Sequence, residues 1–453
     1  MYFEDYLPIL MFVALAILLF SGFPVGFVLG GVGLAFGFIG MYFDVFSQVE
    51  LFNLVLRIWG IADNLVLVAI PMFIFMGTML ERAGVAADLL HCLQVLLRRT
   101  PGGLALAVTV MGTILAATTG IIGASVVMIS LMALPVMLER RYNTELATGT
   151  IAASGTLGIL IPPSIMLVIM ADLLGRSVGT LFVAAVFPGL ILSGLYFAYI
   201  FSICRFKPEL APPLPKDVGP QTVGELVLLL MRGFIPTVFL ILLVLGSIVA
   251  GWATPTEAAG VGAVGALLLA VVNRKLTWKV LKDVVERTAI TNGMIFFIFV
   301  GATAFSYVFR SLGGDDLIND LVYSLGVGPW GILAILMVVT FLLGFFFDWI
   351  EITLIVLPVF APILAALDFG DHLPRAEVVY WFAILLAVNL QTSFLTPPFG
   401  FALFYMKGVA PPEVRIQQIY RGIIPFVMLQ LVGLGLVISF PEIAMWLPRT
   451  ILE

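Results

Sequence analysis

The chain has 453 residues, 62% of them hydrophobic and 11% charged, with a formal net charge of −5. A soluble domain carries about a quarter charged residues, so too little polar surface is present to clothe a water-soluble particle. The regular alternation of about ten residues that marks an outer-membrane barrel is also missing, which leaves a bundle of membrane helices.

The chain opens on MYFEDY. This stretch is acidic and lacks the basic start of a signal peptide, so the first apolar run reads as a retained span. Spans are expected at about 5–20, 24–42, 64–80, 145–173 and 180–204, close to the length a helix needs to cross a bilayer core. The segment 102–138 runs between two loops of like charge and reads as a re-entrant hairpin. RFKPELAPPLPKDVGPQ at 205–221 is polar and proline-rich and reads as a linker. Beyond it, spans are expected at about 228–250, 255–272, 289–309, 378–406 and 422–440, with a second hairpin at 330–366.

The second series repeats the first. SGFPVGFVLGGVG at 21–33 resembles WATPTEAAGVGAVG at 252–265, and FIFMG at 73–77 resembles FIFVG at 297–301. Pro101 corresponds to Pro329, and IPPS at 161–164 to TPPF at 396–399. These landmarks recur in order at offsets of 231, 224, 228 and 235 residues.

Charge orients the two halves, because Lys and Arg favour the cytoplasmic side. The loop at 44–63 sums to −2 and its counterpart at 273–287 to +3. The segment 81–99 sums to +1 and its counterpart at 310–320 to −2. The turn at 139–145 holds Arg140 and Arg141, whereas 368–377 is acidic. The bias therefore swaps sides between halves, as inverted repeats require. With the termini outside and the linker inside, only Arg57, Arg176, Arg310, Arg375 and Arg449 of the basic residues fall outside. The expected fold is an all-α polytopic membrane protein of two inverted-topology repeats, 1–204 and 222–453, joined by a cytoplasmic linker at 205–221. Each repeat has about five spans plus one re-entrant hairpin, with broken helices at the midplane.

Catalytic patterns are missing. Cys92 and Cys204 show neither a disulfide framework nor metal spacing. His91 and His372 read as lone loop residues. No H-E-x-x-H, G-x-S-x-G or G-x-x-x-x-G-K-[ST] occurs, so neither enzyme chemistry nor a nucleotide-driven pump is expected, and no cofactor.

Four interruptions remain. They are the hairpin tips ATTGIIGAS (117–125) and GFFFDWIEIT (344–353), and the breaks SGTLGILIPPS (154–164) and QTSFLTPPFG (391–400). Proline removes a donor and clashes with the preceding turn. The freed backbone is tolerated only against protein or a water-filled cavity. Carbonyls and hydroxyls there form oxygen cages for a hard cation, and half-helix N-termini favour an anion. Candidate Na⁺ oxygens are Thr118, Thr119, Gly120, Ser125, Ser154 and Thr156, then Asp348, Glu351, Thr353, Thr392, Ser393 and Thr396. Candidate substrate contacts at the breaks are Gly155, Pro162, Pro163, Ser164, Gln391, Pro397 and Pro398. Asp348 and Glu351, three apart, share one face of a helical turn and are functional candidates because intramembrane charge is costly. Glu257 reads instead as the first-turn partner of a Thr254 helix cap. No basic residue lies deep in a span. Arg176 and Arg310 read as interfacial charges near the outer face, with gating or docking the alternative.

IPMFIFMGTMLERAG, GILIPPS, ATPTEAAGVGA, the Asp348 hairpin and QTSFLTPPFG resemble the large membrane subunit of tripartite ATP-independent periplasmic (TRAP) transporters. The resemblance covers nearly the whole chain, and DWIEI at 348–352 is most similar to the branch named for mannitol and chloroaromatic compounds. It implies a Na⁺-driven, elevator-type secondary transporter of organic acids such as dicarboxylates, 2-oxo acids, sugar acids or sialic acid. H⁺ is the alternative coupling ion, because Glu351 beside the family's hairpin aspartate, here Asp348, departs from many members. The implied partners are a small membrane subunit and a periplasmic substrate-binding protein, in the bilayer of a bacterial inner membrane, with no nucleic acid. The resemblance further implies a scaffold of about 5–80, 180–204, 228–309 and 422–440, and a transport domain of about 102–173 and 330–406. A stand-alone permease of a related inverted-repeat family is the competing reading.

Overall fold

In lipid only a helix satisfies every backbone N–H and C=O within one segment, and the long apolar runs fold accordingly. The structure is a computed structural model that describes residues 3–213, 222–397 and 400–452. Helices α1 to α5 are Leu7–Leu19, Val25–Tyr42, Gln48–Ala62, Ala69–Arg82 and Val85–Leu96. The first helix–turn–helix pair is α6 (Gly103–Thr119) and α7 (Ile122–Glu139), followed by α8 (Thr144–Thr156), α9 (Ile165–Leu173) and α10 (Val178–Phe206). The second half continues with α11 (Val223–Gly233), α12 (Ile235–Val249), α13 (Pro255–Val272), α14 (Trp278–Ser311) and α15 (Gly314–Leu325). The second pair is α16 (Pro329–Leu343) and α17 (Trp349–Ala366), followed by α18 (Val378–Leu395), α19 (Phe401–Val409), α20 (Ile416–Ser439) and α21 (Glu442–Leu452). No strand occurs among the described residues. Nine of the described helices are long and apolar enough to cross a membrane, or ten if α4 and α5, bent by 61°, count as one.

Two groups of helices emerge from the packing. In one, α2 lies along α14, α4 lies along α13, and α1 and α12 flank them. Their outer faces carry exposed Phe27, Phe38, Phe239, Leu242 and Leu268, the apolar surface expected of helices bathed in lipid. In the other, α8 packs on α6, α7 and α20, and α18 packs on α16, α17, α20 and α10. The groups meet where α4 touches α6 and α9, and where α14 touches α17.

This grouping departs from the expected one. The spans at 180–204 and 422–440 are assigned to the scaffold by resemblance, yet α20 packs chiefly on the broken helices α8 and α18, and α10 packs on α21, α20 and α6 as well as on α18 and α9. The α8–α20 crossing shows why the contact is specific. A Cβ on Gly149 would lie 2.1 Å from the Gly422 carbonyl oxygen, and one on Gly422 would lie 2.1 Å from that of Glu145. Only paired glycines let the two backbones approach so closely.

Four stretches read as loops are helical. At 44–63 the helix α3 starts from a capping box in which Ser47 and Glu50 bond each other's backbone N–H. Its exposed Val49, Phe52, Val55 and Trp59 give it an apolar face. The segment 273–287 is not a loop before a separate span. From Trp278 onward it forms the first turns of α14, a single helix of 34 residues capped by Thr277. Asp283 on those turns takes Arg82 at 2.9 Å and Arg287 at 3.2 Å, which seats the charged turns against α4. Segments 81–99 and 310–320 hold α5 and much of α15, so His91 lies on a helix rather than in a loop. His372 lies in a short 3-10 turn, its Nε2 2.8 Å from the Ile438 carbonyl. The terminal helix α21 is bound by Arg449, which donates to both Glu377 oxygens at 2.7 and 2.6 Å and to Glu442 at 2.7 Å.

Candidate functional site

Each break follows from its prolines. Helix α8 ends at Thr156 and passes through one 3-10 turn, Leu157–Ile159. The chain is then non-helical through Pro162 and Pro163, whose peptide is cis, to Ser164. Neither proline offers an N–H to the turn before it. Ser164 takes the N-cap position of α9 without a side-chain cap bond, and its hydroxyl instead donates to the Ile159 carbonyl at 2.7 Å. In the second half α18 stops at Leu395, and the Thr396 hydroxyl donates to the Thr392 carbonyl at 2.6 Å. Pro397 follows, Pro398 lies outside the described residues, and α19 begins at Phe401.

The described helices that run into both breaks are surrounded by protein. Every residue of 146–156 is buried, as is 165–171. In α18 the apolar window is 94% buried, against 39% in Val25–Tyr42. Interrupted backbone is thus kept from lipid, where each unsatisfied group costs several kcal/mol.

The hairpin tips seat against the breaks. Gly120 turns the first pair with φ +57°, and a Cβ there would lie 2.8 Å from the Ile165 side chain, the first residue of α9. Gly155 faces Val126 of α7 at a hypothetical Cβ distance of 2.5 Å. The tip therefore lies against the broken element on both sides of its break, at Gly155 and at Ile165. Gly123, just past this tip, lies against the Tyr405 ring on α19 at a corresponding 2.9 Å. Reciprocally, α17 of the second hairpin packs on α9. Ser393 on α18 donates to the Phe341 carbonyl of α16 at 2.5 Å. The first hairpin thus touches both broken elements, and the second hairpin touches both as well.

Asp348 and Glu351 do more than share a face. Asp348 is the N-cap of α17: its Oδ1 accepts the Trp349 N–H at 2.8 Å, and Glu351 accepts the Asp348 N–H at 3.2 Å. The D-x-x-E spacing is a capping box, legible in the sequence but read there only as an ion or proton site. A capping carboxylate keeps further lone pairs, so the two roles are compatible.

The predicted hydroxyls divide. Ser125, Thr156, Thr353, Thr392 and Thr396 donate to carbonyls of their own helix turns, those of Ile121, Ala153, Trp349, Val388 and Thr392. Such a hydroxyl still presents its oxygen lone pairs to a cation. The Ser154 hydroxyl and both amide atoms of Gln391 are different. They are buried without a hydrogen-bond partner, a condition native interiors rarely tolerate unless a ligand, ion or water completes them. Thr118 and Thr119 end α6, but their side chains lie outside the described set. Among the described residues no group of three or more His, Cys, Asp and Glu is placed to hold a metal ion. The donors on offer are carbonyls, hydroxyls and one acid pair, the set a hard cation uses.

Three site residues were not foreseen. Asn389 is buried and donates to the Met337 carbonyl and the Thr340 hydroxyl, both at 2.8 Å, fixing α18 to α16. Trp349 is fully buried with its indole N–H unpartnered. Tyr405 is half-exposed beside the first tip. An Asn two residues before the QTS motif was a readable polar signal, whereas the two aromatics resemble ordinary membrane-helix content.

Comparison with known proteins extends this geometry. Residues 12–443 match the family described as tripartite ATP-independent periplasmic transporter, DctM component. The C4-dicarboxylate TRAP transporter large permease protein DctM of Pseudomonas aeruginosa is 30% identical, covering 89% of this chain and 91% of that one. The isethionate TRAP transporter permease protein DctMQ of Oleidesulfovibrio alaskensis is 30% identical over 85% of this chain and 58% of its own length. Among solved structures, the Alcanivorax borkumensis YdaH transporter superposes with a TM-score of 0.61 over 88% of each chain at 15% identity, a likeness of fold alone.

Proposed function

The chain belongs to the DctM component of the tripartite ATP-independent periplasmic transporters, and from that premise we propose that it imports an organic acid by Na⁺-coupled elevator movement. It is a multi-pass membrane transporter subunit and not an enzyme. The observation that carries the mechanistic reading is the convergence of two hairpin tips on two broken helices, with the orphaned Ser154 and Gln391 groups among them. Na⁺ is the co-transported substrate. Hydroxyl and carbonyl oxygens of 118–125, 154–156, 348–353 and 392–396 supply its donor set, and half-helix N-termini supply N–H groups to a carboxylate.

The proposed mobile body comprises 102–173 and 330–406 together with α10 and α20. The proposed scaffold comprises α1 to α4 and α12 to α14. In this reading the two bodies derive from inverted repeats, so the site alternates between faces as one body slides past the other. The partners are a small membrane subunit and a periplasmic binding protein that delivers the acid. The name DctMQ of the longer relative supports a close association with the small subunit. Two relatives named for C4-dicarboxylate and isethionate support an anionic organic substrate.

Uptake into proteoliposomes tests this. The vesicles hold the chain and its small partner, and the binding protein is supplied loaded with candidate acids under a Na⁺ or a proton gradient. Accumulation that requires both Na⁺ and the binding protein is expected. Accumulation without the binding protein overturns the tripartite reading in favour of a stand-alone permease, and uptake driven by protons alone overturns Na⁺ coupling.

A further inference from the structure

Between the two groups of helices, at the end that charge places outside, lies a cleft of about 430 Å³. Arg57 of α3 and Tyr307, Arg310, Thr303, Ser306 and Ser311 of α14 form one wall. Leu354 and Pro358 of the second hairpin and Leu173 of α9 form the other. The volume suits a small organic molecule.

The chemistry of this wall is that of an incomplete anion site. Arg57 has no carboxylate partner among the described residues, and Arg310 has only a long ion pair. Arg57 lies over the Tyr307 ring at 4.8 Å and forms no ion pair among the described residues. Arg310 stands 3.7 Å from Asp315 and donates to the Pro358 carbonyl. That carbonyl is free because its helical partner would be the N–H of residue 362, which is proline and has none. Arg310 is thus held by a neutral acceptor, a weaker partner than a carboxylate, which a planar guanidinium binds through two parallel bonds.

A control is built into the molecule. Arg57 stands ten residues after the Ser47 cap of α3, and Arg287 stands ten residues after the Thr277 cap of α14. Arg287 lines the opposite cleft, about 170 Å³, with Glu81 and with Ile121 and Ala124 at the first hairpin tip. There Arg287 is paired: Asp283 binds it at 3.2 Å and Arg82 at 2.9 Å, and Glu81 in the lining adds a second carboxylate for the two guanidinium groups. The equivalent arginine is therefore neutralised on one face and left open on the other. We infer that the Arg57–Arg310 cleft is a capture site for the carboxylate of an organic acid, ahead of the site at the hairpin tips. The inference rests on the import reading for the class of anion, and on charge and cavity for the place.

The test uses the full chain purified in detergent, which exposes both faces. Ser306→Cys puts a thiol in the cleft, and the parent chain, whose Cys92 and Cys204 are buried, gives the background. The rate of modification is compared for an anionic and a cationic methanethiosulfonate of similar size. The anionic reagent is expected to react about tenfold faster at low salt, as a cationic cleft concentrates anions. Arg57→Gln with Arg310→Gln should bring the ratio to about one, and the Lys pair should keep it. Succinate and 2-oxoglutarate should each slow the anionic reaction, and neutral succinamide at matched ionic strength should not. No charge preference, or no protection by either acid, overturns the capture site. If the acids protect but proteoliposome uptake of every acid fails, the cleft stands and the import reading falls. Uptake with no protection does the reverse.

Discussion

Asp348 and Glu351 carry two roles that one substitution separates. As a helix cap, Asp348 accepts the Trp349 N–H at 2.8 Å while Glu351 accepts the Asp348 N–H at 3.2 Å. Asn caps a helix about as well as Asp, so Asp348→Asn should cost only a few tenths of a kcal/mol, and Asp348→Ala about 1 kcal/mol. Gln likewise preserves the capping box in Glu351→Gln. A charge that holds Na⁺ behaves otherwise. Removing a unit charge about 4 Å from the cation, at an effective dielectric near 20, forfeits about 4 kcal/mol. At 1.4 kcal/mol per factor of ten this approaches a thousandfold loss of affinity. Thermal unfolding of the purified chain and the Na⁺ activation of uptake together read both roles. Asp348→Asn should unfold near the wild-type temperature yet need at least about tenfold more Na⁺ for half-maximal uptake. A wild-type Na⁺ curve in that variant would reduce Asp348 to a cap and remove it from the coupling site.

Gly149→Ala or Gly422→Ala should each cost about 1–3 kcal/mol in unfolding experiments, because backbone atoms 2.1 Å from the new methyl cannot yield. The double variant should cost less than the sum, since the first methyl already parts the helices; full additivity would refute the α8–α20 contact. Gly120→Ala forces an L side chain into the left-handed region at φ +57° and against Ile165, at about 1–2 kcal/mol for the backbone alone. Uptake should fall with the folded yield retained, and unchanged uptake would unseat the tip from α9. Arg449→Leu should lower stability by about 1–3 kcal/mol by leaving Glu377 unpaired. A double-mutant cycle with Glu377→Gln that shows no coupling would demote this fork to a surface contact.

The helix breaks were legible because proline acts through a missing donor, which no tertiary context supplies. Thr254 and Glu257 were legible for a similar reason. The cap bonds they predicted are present, with the Thr254 N–H on Glu257 at 2.8 Å and the Glu257 N–H on the Thr254 hydroxyl at 3.3 Å. At Ser47 the same signal was available, but the charges of 44–63 outweighed it and the helix was read as a loop. Long apolar runs identify spans but not neighbours. The association of α20 with the broken helices therefore had to come from packing, and its sequence trace is a glycine in each of two distant helices, Gly149 and Gly422. The unpartnered amide of Gln391 was equally hidden, since a buried Gln and a bonded Gln look alike in a sequence.

The geometry of the breaks also constrains how the proposed movement occurs. A half-helix end exposed to lipid leaves groups that each cost several kcal/mol, so whatever moves must carry its own cover. The cover of the first break comes from its own hairpin at Gly120 and Gly155, and that hairpin also touches α19 through Gly123 and Tyr405. The cover of the second comes from α16 and α17, and α17 also rests on α9. Parting the two halves of the site along the repeat boundary would leave each break its own hairpin but strip that hairpin's second hold, Gly123 on Tyr405 for the first and α17 on α9 for the second. Sliding the hairpins, the broken helices, α10 and α20 together past α2, α4, α13 and α14 strips neither. The movement then exchanges the contacts of α4 with α6, α9 and α10, of α12 with α6 and α10, and of α14 with α17, together with the bonds from Asn64 to Asp172 and from Arg310 to the Pro358 carbonyl. A displacement that keeps tips and breaks in register and exchanges only this boundary is the one these covers permit.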